Sequence, residues 1–587
     1  MMKRVTASAA TVRFSGLRSY FHASGPRQLA LAIVVGVLAG ASVTAMTRLA
    51  EFAHVRLYGL AFDERLSARA SVSPWAAFAS LGLGGLALGL MDQWRWKRKA
   101  PATVDPIEAN ALRGGRLAFR DGITVMIQTL ISNGCGASVG LEAGYAQVGS
   151  TIASRAGLAL GLRRQDLRTL VGCGAGGAIA GAFGAPLTGA FYAFELIVGA
   201  YTLSNAGPIV SAALAADLTV KALGGAPYFV TAPPVSALTI THHFALVGLG
   251  LLSAAIGIGT MRGAALAERS FQNSGLPLWA RPAAGGCVLA ILAIGTPQVL
   301  GAGHGALGLD VLHVLTASTL IGLIMVKLTA CLISLGSGFR GGLFFASIFV
   351  GALLGKLYAL AVGAAFPHLA LDPTACVFTG MGTLGVAIVG GPMTMTFLVL
   401  ESSDDLGVAG GVLAACIATS AAVRATFGYS FSTWRLHLRG ETIRGALDVG
   451  WMRDLTVARL MDRDPPLAPA AMILREFRAS HPLDGAEAVI LTADDGSYAG
   501  LVFATEAHAP LRDTGLEQQA VSAFARIEAF SLRPDDTVQG ALSVFASAKS
   551  HVLAVTDPET GAPLGLLAES SAARRWAEAA AGALGEA

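Results

Sequence analysis

Gly184-Ala185-Pro186-Leu187-Thr188, preceded by Gly174-Ala175-Gly176 and followed by Glu195, returns later in the chain as Gly390-Gly391-Pro392-Met393-Thr394, preceded by Gly380-Met381-Gly382 and followed by Glu401. In both copies 12 positions separate the first Gly from the Pro, and nine separate the Pro from the Glu. The copies lie 206 residues apart. A repeat at that distance within apolar sequence points to two related halves, and transporters built this way place their site where the halves meet. The spacing by itself does not say whether the halves are inverted.

The apolar surroundings are extensive. Of 587 residues, 53% are hydrophobic, 14% are charged and 72 are Gly; soluble domains usually carry about 25% charged residues. Uncharged runs of 20 residues or more lie between Arg27 and Arg48, Arg69 and Asp92, Asp121 and Glu142, Arg168 and Glu195, Arg281 and Asp310, and Asp372 and Glu401. About 20 apolar residues cross a bilayer core. The run of 40 between Lys221 and Arg262 is long enough for two spans. The runs of 12 between Glu142 and Arg155 and between Lys327 and Arg340 are too short to span and read as broken or re-entrant helices. A soluble core of this length would need far more polar surface.

Charge placement suggests an orientation. Residues 1–27 hold Lys3, Arg4, Arg13, Arg18 and Arg27 and no acid. Trp94-Arg95-Trp96-Lys97-Arg98-Lys99 follows a span. Both fit a cytoplasmic flank with aromatic anchoring, and the second is a poor nucleic-acid patch. The N-terminus lacks the short apolar core and small-residue cleavage site of a removable signal. Cys135, Cys173, Cys287, Cys331, Cys376 and Cys416 all lie in apolar stretches, so they read as small buried residues rather than disulfides or metal ligands.

The chemistry concentrates in two Gly-rich breaks. One is Gly134-Cys135-Gly136-Ala137-Ser138-Val139-Gly140-Leu141-Glu142-Ala143-Gly144; the other is Gly336-Ser337-Gly338-Phe339-Arg340-Gly341-Gly342-Leu343-Phe344-Phe345-Ala346. Helix N-termini starting at such breaks present free N–H groups that favour an anion. Each break carries one charge, Glu142 or Arg340, and an intramembrane charge is a functional residue by default. No metal-spaced His/Cys set or Ser/His arrangement points to an enzyme or a cofactor.

Beyond about residue 435 the chain becomes ordinary soluble sequence, with Asp462-Arg463-Asp464-Pro465-Pro466 as a turn-rich entry. There Ala488-Val489-Ile490-Leu491 leads through a turn to Gly500-Leu501-Val502, and Val552-Leu553-Ala554-Val555 leads to Gly565-Leu566-Leu567. The helix-like segments 470–478 and 538–548 precede them. This tail resembles a pair of CBS motifs. Such pairs often bind adenine nucleotides through an Asp after the second strand, and neither copy here has that Asp.

Residues 30–440 resemble the CLC chloride channel and transporter family. Its G-[K/R]-E-G-P loop is similar to Gly140–Gly144, its G-x-F-x-P loop to Gly342–Ala346, and its G-S-G-x-P loop more loosely to Ala102-Thr103-Val104-Asp105-Pro106. The resemblance implies an all-α, two-halved, inverted-repeat membrane domain over 28–440, a cytoplasmic CBS pair over 450–587, and a homodimer in the inner membrane with both termini cytoplasmic. It makes Glu142 the gating and proton-carrying glutamate. The anion would be held at Thr103 (Ala102 if the register shifts by one), Gly140, Leu141, Gly341, Gly342, Leu343, Phe344 and Phe431.

The departures are also specific. Leu141 stands where the family has a basic residue. Leu196, beside Glu195, stands where it has an inner proton-transferring glutamate. Phe431, or the nearby Tyr429, occupies the place of its anion-binding tyrosine. The function implied is transport of small inorganic anions, chloride first, by proton-coupled or anion/anion exchange. The other readings are a passive chloride channel, an exchanger whose Arg340 fork selects a planar oxyanion such as bicarbonate or nitrate, and a CBS-linked cation transporter using Glu142, Glu195 and Glu401. No cofactor, metal or nucleic acid is expected.

Overall fold

The computed structural model describes residues 25–61, 64–225, 235, 238–438, 455–483, 486–510, 514–527 and 530–576. The basic residues Lys3, Arg4, Arg13 and Arg18 lie outside them. The chain divides into two compact units, Met1–Asp448 and Val449–Ala587.

Among the described residues, every regular element of the first unit is a helix. Seven helices are long and apolar enough to cross a membrane: Pro26–Tyr58, Pro74–Lys97, Leu203–Ala222, Ile240–Asn273, Ala317–Ser337, Phe344–Ala365 and Leu406–Leu438. Large apolar side chains such as Leu83, Leu218, Ile321 and Ile417 stand outward on them. Exposed apolar surface on that scale marks contact with lipid or a partner. Shorter apolar helices, Pro186–Val198, Arg281–Gly295 and Pro373–Val389, lie between them.

Counting uncharged runs misplaces several of these helices. The first ten residues of the 12-residue run after Lys327 are the second half of a 21-residue helix, Ala317–Ser337, with Lys327 at its middle. The ammonium is tolerated there because Nζ donates to the carbonyls of Val299 at 3.1 Å and Gly301 at 2.7 Å, and a buried charge needs such partners. The run after Glu142 likewise belongs to a 19-residue helix, Glu142–Leu160, which passes through Arg155. The 40-residue run that could hold two spans contributes one described helix, Ile240–Asn273, which continues past Arg262. Conversely, the run between Arg168 and Glu195 breaks at Gly184, in left-handed conformation at φ 65°, and restarts at Pro186.

The two halves are related by an approximate two-fold axis. The helix pair Glu142–Leu160 and Arg164–Phe183 crosses at Gly149 and Gly174, where a Cβ on either would strike the other's carbonyl. The pair Phe344–Ala365 and Pro373–Val389 crosses in the same way at Gly351 and Gly380. In lipid, where apolar burial gives little drive to associate, such small-residue crossings let backbones pack closely. On the axis, equivalent residues meet: the rings of Phe191 and Phe397, 206 positions apart, stack at 4.2 Å and 22°.

In the second unit Leu467–Pro469 pairs in parallel with Ala488–Thr492, which pairs antiparallel with Tyr498–Phe503. Val552–Thr556 pairs antiparallel with Pro563–Ala568. The preceding helices are Leu474–Ser480 and Val538–Ala548. These are the two strand–turn–strand copies of a paired motif, and Ile490, Leu501 and Ala554 pack where they meet. The polar run 462–466 lies inside the unit rather than at its entry. Val457, upstream of it, is buried in the core of the second copy, and Asp462 exchanges backbone hydrogen bonds with Leu566 at 2.8 and 3.0 Å.

Candidate anion site at the axis between the halves

Gly140 and Gly342 are 202 positions apart and pair with each other. The Gly140 N–H donates to the Gly342 carbonyl at 2.9 Å, and the Gly342 N–H donates to the Gly140 carbonyl at 3.0 Å. Two residues beyond each glycine a helix begins, at Glu142 in one half and at Phe344 in the other. The axis therefore brings two helix N-termini to one point. First-turn amides have no intrahelical acceptor, and the helix dipoles add positive potential, so this point favours negative charge.

Glu142 fills it. The residue is 5% exposed, and its own amide and that of Phe345 donate to its carboxylate. Oε2 is buried with no hydrogen-bond partner. A Cβ on Gly342 would come within 2.8 Å of that oxygen, and one on Gly140 would collide with it; both positions must be Gly for the carboxylate to lie there. Glu142 is the first helical residue rather than the N-cap, which is Leu141.

Two cavities meet at Glu142. The larger, about 370 Å³, is lined also by His54, Arg65, Leu141, Tyr145 and His304. The smaller, about 130 Å³, is lined by Thr103, Glu142, Tyr192, Arg340, Gly341, Gly342, Leu343, Phe344, Phe431 and Arg435. The structure thus gathers most of the expected residues around the smaller cavity. Leu141 instead faces the larger one, and Gly140 is spent on the glycine bridge.

The structure places the sequence alternatives differently with respect to the smaller cavity. Thr103 is buried and lines the smaller cavity, whereas Ala102 is exposed. Phe431 lines it and Tyr429 does not: the Tyr429 ring stacks on His437 at 4.6 Å, with its hydroxyl 3.2 Å from His437 Nδ1. The Arg340 fork is already engaged, because Nη2 donates to Thr103 Oγ1 at 2.6 Å and Nη1 to Gln128 Oε1 at 3.2 Å. That removes the geometric reason for expecting a planar oxyanion on the fork. Glu195 and Glu401 are also committed elsewhere, each to the backbone of the opposite half.

The sequence reading missed Tyr192 and Arg435. Tyr192 faces the smaller cavity, and no hydrogen-bond partner for its hydroxyl occurs among the described residues. Its signal lay in the repeat: the equivalent position in the second half is Leu398, so the hydroxyl breaks the symmetry on one side only. The Arg435 guanidinium lies 5.9 Å from the Phe431 ring centroid. Among the described residues no group of three or more His, Cys, Asp or Glu could hold a metal ion.

The family model for voltage gated chloride channels matches residues 83–424. A putative ClcB-like chloride channel protein of Ralstonia nicotianae is 30% identical over 372 residues, covering 62% of this chain and 86% of that protein. The voltage-gated ClC-type chloride channel ClcB of Citrobacter koseri is 28% identical over 410 residues, 67% of this chain and 95% of that one. Among solved structures, a slow cyanobacterial Cl−/H+ antiporter matches at a TM-score of 0.62 with 24% identity, over 71% of this chain and 99% of its own. A eukaryotic CLC transporter matches at 0.55 with 14% identity, over 93% of this chain and 97% of its own, so the likeness extends into the second unit. The chain belongs to the voltage-gated chloride channel (CLC) family.

Proposed function

We propose that this protein moves small inorganic anions, chloride foremost, across the membrane in exchange for protons, with Glu142 as the group that both must pass. One observation carries the reading: the Glu142 carboxylate lies between two cavities and between two helix N-termini, with one buried oxygen unpartnered. A carboxylate there competes with an anion for the same N–H groups. Protonation removes its charge and weakens its hold, so an arriving proton and a passing anion are coupled through one side chain. The similar cyanobacterial structure is described as a Cl−/H+ antiporter, and a further one, at a TM-score of 0.55 and 21% identity, as a fluoride/proton antiporter.

The anion rests in the smaller cavity against the amides of Leu343 and Phe344 and the hydroxyls of Thr103 and Tyr192. Tyr192 supplies the hydroxyl that Phe431 lacks. Leu196 carries no proton, so protons reach Glu142 through water in that cavity, whose volume is well above the ~15 Å³ that one water needs. Arg340 and Arg435 on its wall disfavour a cation pathway. The protein works as a homodimer in the inner membrane, both termini on the cytoplasmic side, where the basic flanks belong.

Flux into liposomes holding the purified protein tests this. Chloride should enter with counter-movement of protons and without potassium. Potassium flux without chloride flux contradicts the reading.

A further inference from the structure

Arg340 lies 237 positions from Thr103 in sequence, yet it donates to that hydroxyl at 2.6 Å. We propose that Arg340 is a positioning residue: it fixes the direction of the Thr103 hydroxyl proton so that the proton faces the anion. The inference rests on the smaller cavity being the anion site.

A hydroxyl has one proton to give and two lone pairs to offer, whereas a guanidinium only donates. With Arg340 on its oxygen, Thr103 must accept there. Its own proton then needs another acceptor, and none lies within hydrogen-bond distance among the described residues. Thr103 is 6% exposed and lines the cavity, so the remaining direction for the proton is the cavity, where an anion would accept it. The charge on the guanidinium also polarises the O–H bond and strengthens it as a donor.

The guanidinium is held for this task. The Arg340 backbone N–H donates to Ser132 Oγ at 2.9 Å. Nη1 donates to Gln128 Oε1 at 3.2 Å, and Gln128 Nε2 donates to Asp92 Oδ1 at 2.7 Å, which fixes the Gln128 amide with its oxygen toward the arginine. Arg340 thus acts on the anion through Thr103. On this wall of the cavity an anion meets the aimed Thr103 O–H rather than a planar fork, an arrangement that suits a spherical halide.

The test is a double-mutant cycle read as chloride affinity by calorimetry on full-length purified protein, with size-exclusion profiles confirming the fold. Thr103→Val and Arg340→Gln should each weaken chloride about tenfold, the cost of one charge-assisted hydrogen bond. The double variant should be no weaker than Thr103→Val alone, within about twofold. Arg340→Lys, which unlike Gln keeps a charged donor on a long side chain, should stay within about threefold of wild type. A double variant a further tenfold weaker would show that Arg340 acts on the anion directly, and an unchanged Arg340→Gln would show it idle; either overturns the inference. If Arg340→Gln does not fold, Arg340→Ser in the same cycle replaces it, with the same outcomes deciding. Chloride binding by wild type reports separately on the pathway reading: its absence overturns that reading, whereas binding with additive variants overturns only the role of Arg340.

Discussion

Glu195 and Glu401 stand at the same place in the two halves, and each caps a helix of the other half. Glu195 accepts from the Met393 N–H at 3.0 Å, the Thr394 N–H at 2.8 Å and Thr394 Oγ1 at 2.6 Å. Glu401 accepts from the Leu187 N–H at 2.7 Å, the Thr188 N–H at 2.8 Å and Thr188 Oγ1 at 2.6 Å. Both helices begin at a proline, Pro392 or Pro186, which has no N–H of its own to satisfy. The exchange is reciprocal, as a two-fold axis requires. It also explains how two acids persist in the membrane unit without serving a cation pathway: their oxygens are taken by the backbone.

Breaking one clamp should loosen the halves. Glu401→Ala leaves two amides and a hydroxyl without their acceptor and should cost about 2–3 kcal/mol, in the range for hydrogen bonds to a charged group. Glu195→Ala should cost a similar amount, because its three contacts match. Thermal unfolding of the detergent-solubilised protein should show midpoints lowered by a few degrees for each. Unchanged midpoints would show that the clamps contribute nothing to stability.

Tyr192→Phe removes one hydroxyl from the smaller cavity and nothing else. Chloride affinity by calorimetry should fall about five- to tenfold, the worth of one hydrogen bond to an anion. Tyr429→Phe, whose hydroxyl meets His437, should leave that affinity unchanged. The reverse result would return the anion-binding role to Tyr429.

A chain ending at Asp448 should retain a folded, transport-competent membrane unit, because the two units form separate compact bodies. Chloride flux per protein in liposomes should stay within about threefold of the full chain, the range left to regulation by a separate domain. Loss of monodisperse protein on truncation would show that the tail is needed for folding.

How much was legible follows from how local each feature is. The 206-residue repeat was readable because helix breaks, proline starts and capping glutamates are short-range chemistry that leaves fixed spacings. The pairing of Gly140 with Gly342 was not, although Gly140-Leu141 and Gly342-Leu343 look alike. Four extra residues separate the helices of the second pair, so the offset shifts from 202 to 206 and a single-offset comparison passes over it. Lys327 hid a span because the carbonyls that accept from its ammonium lie 26 and 28 positions away. The fate of the Arg340 fork was invisible for the same reason, since its partners lie 212 and 237 positions upstream. Glu142 was singled out by type and setting, as a lone carboxylate in a Gly-rich break, and its gating role came from the resemblance of Gly140–Gly144 to the family's loop.

The most direct measurement is proton movement in liposomes under an imposed chloride gradient, with wild type and Glu142→Gln side by side. Gln keeps the shape of Glu142 but carries neither its charge nor its proton. Wild type should drive protons against their own gradient as chloride runs down its gradient. Glu142→Gln should abolish that proton movement while chloride still passes. Proton movement that persists unchanged in Glu142→Gln would contradict the account.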